Sequence, residues 1–301
     1  MWTCTRIAVT ILATIFVPFL SAESRCPGNA VSLRYSLVNG HQLTVAVTIN
    51  QSGPFTFLLD TGSQVTVLDP TLAAQLHLGA EGQASVTNAG FSSSGFFSQV
   101  DAVEAGTLSV SGLRVLVSDL GHLRAHRIEV QGILGEDFLD HFDLLIDNRQ
   151  KLVCLDSSGS MRAPMKASWI PLLNPATSDR AGLPTLLVVP VRLSDSVRPV
   201  RLALDSGASI PFLYRASTYM SLAVLSPPGF GPKATDARGS YTLLPPQDLR
   251  IGASRIQHVS FVNLTTSNQS GAADFDGVLT PSLFRRVLID HVDRLVALEG
   301  W

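Results

Sequence analysis

The sequence predicts an all-β protein of two similar lobes with a cleft between them, and three observations predict it. Short runs of Val, Ile, Leu, Thr and Phe alternate with Gly, Ser, Asn and Asp clusters along most of the 301 residues, which is the pattern of closely spaced strands. Helical signals are few and brief. The chain also repeats itself: Asp60-Thr61-Gly62-Ser63, behind the apolar run Phe55 to Leu59, returns 145 residues later as Asp205-Ser206-Gly207-Ala208 behind Val200 to Leu204. Gly132-Ile133-Leu134 returns as Gly277-Val278-Leu279 at the same offset, and Leu145-Ile146-Asp147 as Leu288-Ile289-Asp290 at an offset of 143. Repetition in one order at one spacing is an internal duplication.

Taken in chain order, Met1 to Ala22 place Arg6 before an apolar stretch from Ile7 to Leu20 and end in Ser21-Ala22, the arrangement of a cleavable export signal. The alternative, an uncleaved membrane anchor, needs roughly 20 apolar residues, and this stretch is shorter. Leu43 to Ile49, the turn Asn50 to Gly53 and Phe55 to Leu59 read as two strands and their connection. Asp69 caps a helix with Pro70 at its first position, running to about Leu76 and stopping near Gly79, with a counterpart over Tyr214 to Leu222. Ser157 to Ser160, followed by Arg162-Ala163-Pro164, has neither strand nor helix period and reads as a surface connection. The expected organisation is a signal over residues 1–22, one lobe over 23–160 and a second over 161–301. Each lobe runs through paired strands, a carboxylate turn, a short helix, a Gly/Ser-rich hairpin, an apolar-Gly strand, a helical turn and an Ile-Asp strand.

Composition excludes some functions. A net charge of −2 without any Lys/Arg-rich run gives no footprint for nucleic acid, and no later segment is long and apolar enough to span a bilayer. Of three cysteines, Cys4 leaves with the signal, which leaves Cys26 and Cys154 as an even pair in a compartment that permits a disulfide. Cys154 within Lys151 to Leu155 reads equally well as a small buried apolar residue. His122, His126 and Glu129 have a spacing that ligates metal on a helix, but the segment lies between strands and reads as a solvated loop. No cofactor or metal is expected. Asn263-Leu264-Thr265 and Asn268-Gln269-Ser270 fit the glycosylation rule for a eukaryotic secreted chain, and Asp147 and Asp290 read as turn or strand-end residues.

The repeated turn carries the chemistry. A carboxylate straight after a buried strand, with a glycine two residues on for a permissive backbone, is aimed into whatever cleft the strand end borders. If two such turns meet, Asp60 and Asp205 cannot both ionise cheaply and share one proton, offering a base and an acid together. One takes a proton from a water while the other protonates a carbonyl, which hydrolyses an amide without metal or covalent intermediate and favours mildly acidic conditions.

Hydrophobic-Asp-Thr/Ser-Gly-Ser/Ala, twice, each with a downstream apolar-Gly strand, resembles the aspartic peptidases. Gly132 to Leu139 through Phe142 to Asp147 is similar to bacterial proteins with retropepsin-like domains, here joined as two β-barrel lobes in pepsin-like fashion. The resemblance implies a two-lobed endopeptidase, monomeric, secreted or periplasmic, acting on peptide or protein substrates. It implies Asp60 and Asp205 as the catalytic pair, and Thr61 and Ser206 as hydroxyls crossing to the opposite turn. It also implies Ser63 as a hydroxyl that hydrogen-bonds its carboxylate; Ala208 cannot, which makes Asp205 the expected holder of the shared proton. Gly62, Gly207 and Ala208 complete the supporting loops. The flap candidate is Asn88 to Gln99, with Gly90 and Gly95 as bending points and Phe91 and Phe96, besides Phe97, where the pepsin-like tyrosine is missing. Thr280 replaces Gly135 in the second lobe, so the backbone approach beneath Asp205 is expected to differ. The second-lobe stretch Gly231 to Tyr241 receives no role, and no pro-segment fits between Glu23 and Val31. A catalytically silent lobe pair that binds peptides in the same cleft is the competing function; two intact aspartates with their hydroxyl partners favour the enzyme.

Overall fold

A computed structural model of the chain describes residues 26–88, 91–162, 168–173, 183–214, 233–236, 239–265 and 275–301. The expected export signal lies outside them, as do Gly90 and all of the expected Tyr214 to Leu222 helix except Tyr214, which belongs to a strand. No helix among the described residues is long and apolar enough to cross a membrane.

The first half forms strands β1 (Val31–Arg34), β2 (Ser36–Val38), β3 (Gln42–Ile49), β4 (Ser52–Leu59) and β5 (Val67–Leu68), then helix α1 (Pro70–Gln75). Strands β6 (Gln83–Asn88), β7 (Phe91–Ala105) and β8 (Leu108–Ser118) follow, then α2 (Gly121–Ala125), β9 (Gly132–Leu134), α3 (Glu136–Leu139), β10 (Asp143–Asp147) and β11 (Leu152–Asp156). The second half holds β12 (Trp169–Pro171), β13 (Val188–Leu193), β14 (Val200–Leu204), β15 (Phe212–Tyr214), β16 (Lys233–Asp236) and β17 (Gly239–Leu243). It ends with β18 (Gln247–Ile251), β19 (Ser254–Val259), β20 (Val262–Thr265), β21 (Gly277–Leu279), a 3-10 turn over Pro281–Leu283, β22 (Arg286–Asp290) and β23 (Leu295–Glu299). The expected cap of α1 is present: the Asp69 carboxylate accepts the Thr71 N–H at 3.0 Å, with Pro70 at the first helical position.

These strands make three sheets, one from each half and one from both. The first is ordered β2-β3-β4-β9-β5-β8-β7-β6, and an additional β3–β7 pairing bends it back on itself into a barrel-like wall. The second is ordered β16-β17-β20-β15-β21-β14-β13-β18-β19. In both, the strand before the carboxylate runs parallel to the apolar-Gly strand: Leu59 pairs with Leu134, and Leu204 with Leu279. The long β7 has two shorter equivalents, β17 and β18, parted by Leu244-Pro245-Pro246, because proline cannot donate to a ladder.

The third sheet, β1-β11-β10-β22-β23-β12, takes three strands from each half. At its centre β10 and β22 pair antiparallel, with Leu145 opposite Leu288, Leu144 opposite Ile289 and Ile146 opposite Val287. Exchanging the two halves maps this register onto itself, so a local two-fold axis passes between Leu145 and Leu288. Asp147 and Asp290 end these strands as expected, each accepting the N–H three residues on, from Gln150 at 2.8 Å and Asp293 at 2.9 Å. One continuous apolar core, including Phe57, Phe138, Leu204, Phe284 and Ile289, runs through both halves.

Of the two readings left open for Cys154, the disulfide holds: Cys26 and Cys154 are bonded, closing a loop with a sequence separation of 128, and Cys154 is also fully buried. Loop closure of that length restricts the unfolded chain by up to about 4–5 kcal/mol in the chain-entropy account. Reductant is therefore expected to lower the melting temperature of the wild type by roughly ten degrees, and to leave a Cys26→Ser variant unmoved; equal melting of wild type with and without reductant would contradict the bond's contribution.

Candidate active site

Both carboxylate turns grow from the buried ends of their strands, Phe57 to Leu59 of β4 and Leu202 to Leu204 of β14. The Asp60 N–H continues the β4 ladder to the Leu134 carbonyl at 3.0 Å, and the Asp205 N–H does the same with Leu279 at 3.1 Å. Because β4 and β14 are held on both sides, the direction of each carboxylate is fixed by the sheet.

The turns meet. The Thr61 hydroxyl donates to the Leu204 carbonyl at 3.0 Å and accepts the Ser206 N–H at 3.1 Å; the Ser206 hydroxyl donates to the Leu59 carbonyl at 2.7 Å and accepts the Thr61 N–H at 3.1 Å. Four hydrogen bonds thus lock the two loops reciprocally, in a place where Thr61 is 0% and Ser206 2% exposed. Thr61→Val would orphan the Leu204 carbonyl and the Ser206 N–H in a dry interface, and is expected to lower stability by about 2–4 kcal/mol. Thr61→Ser, which keeps the hydroxyl, should stay close to wild type in denaturant unfolding; equal losses in both would refute the lock.

The glycines have a different reason from the one the sequence suggests. Neither Gly62 nor Gly207 has a positive φ, so backbone freedom is not what selects them. A Cβ on Gly62 would lie 2.5 Å from the Asp205 carboxyl carbon, and one on Gly207 would lie 2.6 Å from that of Asp60. Each carboxylate packs flat against the other turn's glycine, and only hydrogen leaves it room.

Asp60 accepts the Gly62 N–H at 2.8 Å, and Asp205 the Ala208 N–H at 2.9 Å. Burial pushes both carboxyls up. Backbone N–H groups of Gly62, Gly207 and Ser63, together with a hydrogen bond from Asp205, pull Asp60 part of the way back. Asp205 rises much further, because the negative Asp60 stands beside it. Of the two, Asp205 is thus the one held more firmly in its protonated form, with its hydrogen bond directed at Asp60. Ser63 does not produce this asymmetry as expected: its hydroxyl donates to the Val65 carbonyl at 2.8 Å, and only its N–H faces Asp60.

The candidate flap is a real hairpin. β6 and β7 pair from Gln83 opposite Phe96 to Asn88 opposite Phe91, and β7 joins β8 only from Gly95 onward, so the hairpin projects past the sheet. Gly90 and the Phe91 side chain lie outside the described residues, and Phe96 is half-buried. Gly95 is another close-approach glycine, since a Cβ there would sit 2.4 Å from the Val117 carbonyl oxygen; its φ is not positive, so it is not a bending point of the kind expected. The unassigned stretch Gly231 to Tyr241 contains an equivalent hairpin, β16 with β17.

Thr280, where the first half has Gly135, caps its 3-10 turn by accepting the Ser282 N–H, whereas Gly135 is pressed against the Val65 backbone at 2.5 Å from an added Cβ. His122 stands on α2 and His126 is its C-terminal cap, so this segment is a short helix rather than the expected loop. No group of three or more His, Cys, Asp or Glu among the described residues is arranged to hold a metal.

Tyr214 was not foreseen at the site. It follows Asp205 by nine residues in sequence but returns beside it through β15, and burial together with the Asp205 charge pushes its hydroxyl up to about 12. The duplication offered a faint signal, since Tyr214 stands 145 residues after Asp69, the cap of α1.

A family model described as aspartyl protease matches residues 45–138, which run from β3 through the Asp60 turn to the phenylalanine of α3. The all-β architecture with its barrel-like sheets is consistent with an aspartic protease fold, and the match supports peptide hydrolysis by aspartates as the chemistry. No curated protein matches the chain.

Proposed function

We propose that the protein is an exported aspartic endopeptidase whose two lobes, divided near residue 160, each supply one catalytic aspartate. The observation that carries this is the reciprocal seating of each carboxylate on the opposite turn's glycine, inside the four-bond Thr61/Ser206 lock. A water between Asp60 and Asp205 is the nucleophile. Asp60, ionised, takes its proton as the oxygen bonds to the substrate carbonyl carbon, and Asp205 gives its proton to the carbonyl oxygen. Proton transfer from Asp60 to the amide nitrogen then lets the carbon–nitrogen bond break, and the diol's proton restores Asp205. The β6/β7 hairpin closes over the bound peptide, with Phe96 among the side chains that meet it. The apolar stretch within residues 1–22 and the Cys26–Cys154 disulfide support export to an oxidising compartment.

The test is cleavage of a diverse peptide pool from about pH 3 to about pH 7, a range that brackets carboxylate titration. Peptides cut by the wild type and spared by both aspartate variants support the proposal, whereas folded wild type that cuts nothing across the range overturns it in favour of a peptide-binding scaffold.

A further inference from the structure

The duplication places two cross-half contacts in equivalent positions, and they are chemically unlike. Asn148 follows Asp147 as His291 follows Asp290, and each reaches the short helical turn of the opposite half. The Asn148 amide donates to the Pro281 carbonyl at 2.9 Å and the Phe284 carbonyl at 2.8 Å. His291 instead places Nδ1 at 2.6 Å from the Phe142 carbonyl and Nε2 at 3.1 Å from the Glu136 carboxylate, Glu136 being the counterpart of Pro281. Both side chains are almost sealed, at 4% and 1% exposed.

A carbonyl can only accept, so Nδ1 carries a hydrogen and Nε2 faces Glu136. One proton must then lie between Nε2 and the carboxylate, as imidazolium donating to carboxylate or as carboxylic acid donating to neutral imidazole. Without that proton two lone pairs face each other in a dry site. The contact behind the Asp205 turn is thus permanent, whereas the contact behind the Asp60 turn depends on a proton.

Glu136 is tied to the dyad by its backbone as well. Its N–H donates to the Ser63 carbonyl at 2.8 Å, holding the turn just beyond Asp60, a bond that Pro281 in the other half has no hydrogen to make. We propose that Glu136 and His291 are positioning residues of the dyad, a proton-dependent latch between the halves that holds the Asp60 turn and slackens it when the proton between them is lost. The role assigned to the dyad rests on the peptidase reading; the latch does not.

The groups that bear on it are few. Burial raises the Glu136 carboxyl, His291 opposes this, and the charges of Asp140 and Asp60 add to it. Burial works against the imidazolium of His291, but Glu136, the Phe142 carbonyl and Asp140 outweigh it and hold its pKa above the ordinary value. Arg294 faces Glu136 from the turn before β23, with its Nε and one terminal nitrogen buried and lacking a hydrogen-bond partner among the described residues, and Glu136 Oε1 lacks one too. Both latch groups are thus raised, so the stability they contribute is complete below the ordinary carboxyl value of about 4.3 and is lost as pH rises through the folded values, the His291 share above the ordinary imidazole value of about 6.5.

The test uses Glu136→Gln, whose amide donates to Nε2 without titrating, and His291→Asn, which copies the donor of the other half. Melting temperature is followed from about pH 5 to about pH 9, spanning imidazole titration, in wild-type and Asp60→Asn backgrounds, and peptide cleavage is followed over the same range. We expect either variant to flatten the alkaline fall in melting temperature, to flatten it by a different amount in the Asp60→Asn background, and to extend cleavage by about one pH unit toward alkali. Melting curves of both variants that parallel the wild type at every pH overturn the latch, and equal flattening in the two backgrounds overturns its action on the Asp60 turn. Both outcomes are read from unfolding alone, so they stand whether or not any peptide is cut.

Discussion

Asparagine at either position of the dyad is expected to reduce peptide cleavage by about three orders of magnitude or more, the scale of losing a general acid or base together with the water it holds. The same variants should be more stable than the wild type near neutral pH. Both carboxyls are raised in the folded state, so the stability they contribute is complete below the unfolded value of about 3.9 and is lost as pH rises through the folded values. Asparagine has no proton to lose, so the advantage of Asp205→Asn over wild type should grow from acid to neutral pH and shrink to nothing on acidification. Asp60→Asn should show a smaller gain, because Asp60 is the less raised of the two. Wild type and Asp205→Asn melting in parallel across that range would refute a proton-sharing pair, whatever the cleavage assay gave.

Gly62→Ala and Gly207→Ala should come next in effect, at roughly a hundredfold loss in kcat/KM each, the penalty for displacing a catalytic group by about 1 Å. The contact is with the carboxylates themselves: the added methyl would sit 2.7 and 2.9 Å from the two Asp205 oxygens, or 2.6 and 2.7 Å from those of Asp60. Asp205 cannot withdraw without leaving the Ala208 N–H, nor Asp60 without leaving that of Gly62. Gly300→Ala, with nothing within 4 Å of an added methyl, is the control. Steady-state kinetics decides the matter: if Gly62→Ala works at the wild-type rate while folded, the carboxylates do not sit on the glycines as described. A loss that tracks only a lower melting temperature would point to overpacking instead.

What the sequence made legible was whatever it wrote twice. Asp60 and Asp205, Thr61 and Ser206, and the apolar-Gly strands could be found because duplication marks them at fixed offsets, and short apolar runs between Gly, Ser, Asn and Asp clusters gave the strands. The cap at Asp69 was legible because capping is local, spanning only the residues to Thr71. Contacts between segments more than a hundred residues apart left no local trace. Thus Gly62 reads as a permissive turn residue although it is a contact surface for Asp205; the Ser63 hydroxyl differs for a local reason, since Val65 two residues on receives it in place of the carboxylate. Tyr214 looked like a helix start because its strand is only three residues long and its partners, β20 and β21, come much later in the chain.

In the antiparallel pairing of β10 with β22, Leu144 meets the counterpart of Ile146 and Ile146 meets the counterpart of Leu144, which is the contact that two identical subunits make across a dyad axis. Here the second subunit is the other half of the same chain. Separated from its counterpart, the first half would carry only one of the two facing aspartates, and β10 would become a bare edge strand lined by Leu144 and Ile146, open to pairing with any other edge it met. Covalent linkage removes that hazard and makes the meeting of the two carboxylates independent of protein concentration. It also frees the halves from identity, and an asymmetric pair such as Asn148 and His291 can arise only where the two partners are encoded separately.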